Sequence, residues 1–163
     1  MIDTIIDAVS HETKKFFTQF NKIDFKEIEI LEQETIEFQP YTVLIGTGGA
    51  DNTLFAISCQ AKLLDHLIKS FGFANIENEK EKYREGTAYE VANMIIGGSL
   101  DKFHNSNEVT LTVPLLIGEA SKIVKYERSI LYTLIVKTDK GNLVIDIIQP
   151  KELVTQSKHL IDG

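Results

Sequence analysis

The chain has one cysteine, Cys59, so no disulfide can form within it. It also lacks any run approaching the roughly 18 consecutive apolar residues that a membrane-spanning helix needs. Positive charge is the scarcer sign: 17 Lys and Arg stand against 24 Asp and Glu, giving a formal net charge of −7 and a pI near 5.1. A phosphate backbone demands a basic patch, and the densest basic clusters here are pairs such as Lys14 and Lys15. Nucleic acid is therefore not an expected partner. His11, His66, His104 and His159 are scattered and show no His-Glu-x-x-His or related ligand spacing, so no metal site is expected. The N-terminus becomes amphipathic at once, without the basic segment and apolar block of a secretion signal. These absences leave a soluble, cytoplasmic chain as the expectation.

What is present fits one globular domain over residues 1–163, with 43% hydrophobic and 25% charged residues. Ile2, Ile5, Ile6 and Val9 recur at i, i+3, i+4 and i+7, which predicts a helix over residues 3–20 capped by Asp3. Phe16, Phe17 and Phe20 continue it on nearby faces. Such a cluster ordinarily enters the core, and would serve an interface only in a dimer. Residues 23–38 include the alternation Phe25-Lys26-Glu27-Ile28-Glu29-Ile30, a strand with one solvated face. Residues 41–45 and 52–59 predict a hairpin turned by Gly46-Thr47-Gly48-Gly49. That glycine run has no Walker lysine and lies between strands, so a turn is preferred to a phosphate cradle. Cys59, with no nearby histidine pattern, is expected to pack at a strand end.

From Gln60 the period turns helical through Leu63, Leu64, Leu67, Ile68 and Phe71, stopped by Gly72. A charged connector over 75–82 leads to a long helix over 82–103. Strands follow at 109–113, 123–124, 129–138 and 143–148, with a second hairpin turn at Asp139-Lys140-Gly141-Asn142 and a stop at Pro150. Strands joined by tight turns favour antiparallel pairing. The predicted fold is α+β, with long helices packed on one face of a mostly antiparallel sheet.

At about 100° per residue, the long helix gathers Ala88, Val91, Ala92, Ile95, Ile96, Ser99 and Phe103 on one side. Gly86, Glu90, Asn93, Gly97 and Asp101 gather on the other. Glu90 and Asn93, at i and i+3, leave the same face together. Gly86 and Gly97 cost roughly 1 kcal/mol each relative to alanine. They sit on the outward stripe, where close approach by another molecule's backbone explains them, and a kink or a frayed first turn is the internal alternative. Met94 borders the stripe and suits a partner contact.

The stretch Tyr89-Glu90-Val91-Ala92-Asn93-Met94-Ile95-Ile96-Gly97-Gly98 resembles the signature helix of the CheX/CheC-type chemotaxis phosphatases. The segment Val109-Thr110-Leu111-Thr112-Val113-Pro114 is similar to that family's proline-containing strand, and Val43-Leu44-Ile45-Gly46-Thr47-Gly48-Gly49 to its glycine-rich hairpin. The motif helix departs from many members in continuing Gly98-Ser99. The first helix has no second Glu-x-x-Asn pair, since Glu12 is followed three residues later by Lys15, which points to the single-motif CheX-like branch.

The resemblance implies a phosphatase acting on the aspartyl phosphate of a CheY-like response regulator. Asn93 would hold a water in line with phosphorus, and Glu90 would pair with the regulator's active-site lysine. Gly86, Met94 and Gly97 would form the approach surface. A homodimer is expected, with no cofactor bound by this chain and Mg²⁺ held by the partner regulator. The alternative is a non-catalytic binding module for a response regulator or a flagellar-switch component.

Overall fold

Ile5, Ile6, Ala8 and Val9 close one side of α1 (Ile2–Lys15), as their spacing requires. The computed structural model describes residues 2–20, 22–72, 77–103, 106–117, 123–125 and 128–150. The helix starts at Ile2, so Asp3 lies inside its first turn instead of capping it. It then widens into a π turn over Phe16–Phe20. Phe16 and Phe17 are both buried and meet edge to face, with centroids 5.2 Å apart. These two rings belong to the core and offer no surface to a second copy.

The strands are β1 (Phe25–Glu32), β2 (Thr35–Glu37), β3 (Thr42–Gly49), β4 (Leu54–Cys59), β5 (Val109–Leu111), β6 (Leu115–Ile117), β7 (Ile123–Lys125), β8 (Ser129–Thr138) and β9 (Gly141–Pro150). Helices α2 (Ala61–Ser70) and α3 (Lys80–Ser99) complete the elements that matter for the site. The main sheet runs β1-β8-β9-β4-β3-β5, with β6 also on the outer side of β3. Every pairing among the described strands is antiparallel. Asp139 and Lys140 turn β8 into β9, where Thr138 pairs with Gly141. The α+β expectation holds: α1, α2 and α3 pack with Val43, Ile45, Phe55, Ile57, Leu143, Ile145 and Ile147 into one core on one face.

The position of the first hairpin turn is also corrected. Gly46, Thr47, Gly48 and Gly49 are not the hairpin turn; they are the second half of β3, and the turn falls at residues 50–53. Gly46 pairs with Leu54, while Thr47, Gly48 and Gly49 pair across to β5. Glycine is required at Gly49, whose φ is +83° and where a Cβ would run into the carbonyl of Glu108.

The other face of the sheet is not left to water. β2 and β7 form a separate two-stranded sheet, and Ile36, Phe38, Ala56, Leu131 and Ile148 make a second, smaller cluster. Cys59 is buried, and desolvation pushes its thiol up to about 12, so it packs without reactivity. Among the described residues no helix is long and apolar enough to cross a membrane.

Candidate functional site

Helix α3 is bound on one side and open on the other. Ala88, Val91, Ala92, Ile95 and Ile96 are buried, and Ser99 joins them by donating its hydroxyl to the Ile95 carbonyl at 2.6 Å. This is the apolar face expected from the helical period. The helix begins at Lys80, a little ahead of the expected start, after a short 3₁₀ turn over Glu77–Glu79.

Three ties hold α3 in place. Arg84 donates from Nε and Nη2 to the two carboxylate oxygens of Asp65 on α2, both at 2.7 Å. That fork holds the Asp65 carboxyl below its ordinary range and raises the guanidinium further. The Tyr41 hydroxyl, at the entry to β3, donates to Glu81 at 2.7 Å and accepts from Arg84 at 3.3 Å. Burial foremost, with the Glu81 bond, raises its pKa. Further along, the Tyr89 hydroxyl accepts the backbone N–H of Leu116 at 2.9 Å.

On the open side, Glu90 and Asn93 are both exposed, and among the described residues neither has a hydrogen-bond or ion-pair partner. At helical spacing Asn93 leaves α3 about 60° from Glu90, toward the Tyr89 edge. A groove of about 520 Å³ runs along α3 from Lys82 past Gly86 to Glu90 and Met94, with Phe71 at its α2 end. Glu90, Gly86 and Met94 are thus brought together in one concavity. Asn93 and Gly97 lie outside it, on the flank toward β5 and β6.

The glycines divide by what surrounds them. A Cβ on Gly86 would meet nothing within 4 Å, and one on Gly97 would only touch Leu111 Cδ1 at 3.9 Å. Neither is required by internal packing. Gly98 differs: a Cβ there would collide with the Glu12 side chain of α1. The helix runs through both to Ser99, so Gly97 and Gly98 do not end it.

Sequence reasoning did not find Tyr89, Tyr41 or the Arg84–Asp65 fork. The fork joins residues nineteen apart on different helices, and no local spacing signals such a pair. No group of three or more His, Cys, Asp or Glu side chains suited to a metal ion occurs among the described residues.

Three helices packed on one face of a mostly antiparallel sheet are the fold of solved CheX and CheC-like chemotaxis proteins. CheX from Desulfovibrio desulfuricans superposes with a TM-score of 0.68 at 13% identity, covering 89% of this chain and 99% of that one. A chemotactic CheC-like protein from Shewanella oneidensis gives 0.67 at 14%, over 91% and 100%. CheX from Borrelia burgdorferi, solved with CheY, BeF₃ and Mg²⁺, gives 0.65 at 18%, over 91% and 97%. No curated protein matches the chain. The profile of the family described as chemotaxis phosphatase CheX matches residues 41–136, and the chain belongs to that family.

Proposed function

We propose that the protein hydrolyses the aspartyl phosphate of a CheY-like receiver domain, with the open face of α3 entering the receiver's active-site cleft. The observation that carries this reading is the uncommitted pair: Glu90 and Asn93 leave one face together, exposed, with no partner among the described residues. An asparagine amide can donate and accept at once and bears no charge to repel phosphoryl oxygens. Asn93 holds a water in line with phosphorus. The water oxygen bonds to phosphorus as the bond to the acyl oxygen breaks, leaving a free carboxylate and inorganic phosphate. Phosphoryl transfer has a loose transition state, so positioning supplies much of the effect. Glu90 meets a lysine of the receiver and fixes the helix register. The receiver, not this chain, holds the Mg²⁺.

Gly86, Met94 and Gly97 form the surface against which the receiver closes, supported by the free space over both glycines. The setting is the cytoplasm, where such a receiver works, and the protein acts as a homodimer. The solved complex of the Borrelia relative with CheY makes a receiver the natural first substrate to try.

The test is phosphate release from a phosphorylated receiver. Asn93→Ala should keep the fold and receiver binding yet lose about 10²-fold or more in kcat. Equal activity in wild type and variant rejects the role of Asn93. Wild-type protein that binds the phosphorylated receiver without accelerating release is instead a binding module.

A further inference from the structure

The outer edge of the sheet is interrupted beside α3. Thr47 pairs with Leu111, and Leu44 with Leu115. Ile45 and Gly46 of β3 therefore face Thr112, Val113 and Pro114, one residue too many, which is a β-bulge. Thr112 stays tied to β3: its N–H donates to the Gly46 carbonyl at 2.8 Å, and its hydroxyl accepts the Gly46 N–H at 2.8 Å. Pro114 has no N–H to offer a ladder. Val113 is turned out and is 88% exposed, more than Leu115 and Ile30, the other exposed large apolar residues among those described. Bulges bend an edge strand and re-aim side chains, and they concentrate beside functional sites.

The bulge stands level with Asn93. On one side of it, Leu111 lies against Gly97; on the other, Leu116 is bonded to Tyr89. Tyr89 and Gly97 lie four residues before and after Asn93. A lone exposed valine needs no explanation. This one is lifted by a proline-containing bulge beside the open face of a helix, on the flank toward which Asn93 leans.

We propose that Val113 is an apolar contact for the phosphorylated receiver, seated against apolar surface on the rim of the receiver's phosphoaspartate cleft. It adds affinity and takes no part in orienting water. The assignment rests on the Glu90–Asn93 reading above. Leu115 is its internal control: it is 61% exposed, but it pairs with Leu44 on the opposite face, which packs on the second cluster away from α3.

The experiment measures phosphate release from a phosphorylated receiver by full-length wild type, Val113→Ser, Val113→Asp and Leu115→Ser, with the mass of each by light scattering. KM should rise roughly three- to tenfold in Val113→Ser, and further in Val113→Asp, with kcat unchanged. Leu115→Ser should match wild type. An unchanged KM in Val113→Ser overturns this assignment and leaves the Asn93 mechanism standing. A changed mass with an unchanged KM overturns it too, making the bulge a guard against edge pairing with a second copy. Wild type that never accelerates phosphate release removes the mechanism and this assignment together.

Discussion

Among the described residues the buried polar side chains are held, the Ser10 hydroxyl excepted, and the two exposed ones at the open face of α3 are not. Thr13 donates to the Val9 carbonyl, and Asp51 accepts the hydroxyls of Thr47 and Thr53. Glu90 and Asn93 were legible in the sequence because their i, i+3 spacing fixes a shared face whatever the tertiary fold. Asp146 was not legible. In a strand reading Leu143-Val144-Ile145-Asp146-Ile147-Ile148, a charge marks the solvated side, but in the structure it is 4% exposed with the hydroxyl of Thr133 donating to it at 2.6 Å. Desolvation pushes its pKa up to about 6, partly opposed by that bond. Folding thus favours the neutral acid. Its stability is intact below the unfolded carboxyl's ordinary pKa near 4 and is lost as pH rises through about 6. Asp146→Asn should therefore stabilise the protein by about 3 kcal/mol at pH 7, with the gap closing below pH 4. Urea unfolding at the two pH values checks this, and equal stability at pH 7 defeats it.

An element succeeds or fails as a prediction according to whether its residues decide its fate locally. Helix α3 reads correctly because burial of Ala88, Val91, Ala92, Ile95 and Ile96 follows the 3.6-residue period alone. The glycine-rich half of β3 misreads as a turn because its neighbour, β5, comes from some sixty residues later, and glycine in a strand often marks close backbone approach. Within α3, Gly98 has an internal reason to be glycine and Gly97 has none. Gly97→Ala would place its methyl in ordinary contact with Leu111, so the helix should gain up to about 1 kcal/mol and the melting temperature should rise. If a receiver presses on this stripe, the same substitution should slow dephosphorylation. Stability and function would then move in opposite directions. A lower melting temperature, or higher stability with full activity, defeats the close-approach assignment.

At the scale of the whole molecule, one layer was readable and the other was not. The helices, the antiparallel order and the β8–β9 hairpin follow from periodicity and turn residues. The cover formed by β2 and β7 does not, since three-residue strands far apart in sequence carry no pattern of their own. The finished sheet has two edges, and the homodimer proposed above can be assigned to one of them. The edge at β5 and β6 is broken by the bulge at Val113. The edge at β1 keeps an unbroken register from Glu27 to Glu32, after a bulge between Phe25 and Glu27, and its far side pairs with no described strand. Ile30 stands there 48% exposed, while Lys137 holds Glu27 at 3.1 Å and Glu29 at 3.6 Å. A two-fold antiparallel pairing of β1 with a second copy, centred on Ile30, sets Ile30 against itself, Glu29 against Leu31 and Ile28 against Glu32. No two carboxylates then face each other directly, whereas centring on Glu29 would oppose Glu29 to itself. Ile30→Asp would place two carboxylates across the axis and should convert dimer to monomer by light scattering. The fold should be retained, because the substituted side chain is half exposed at an edge. Phosphatase activity per chain should persist too, since β8, β9 and β4 separate β1 from the strand that lies against α3. A wild-type protein that is monomeric, or an Ile30→Asp variant that remains dimeric, removes β1 as the interface.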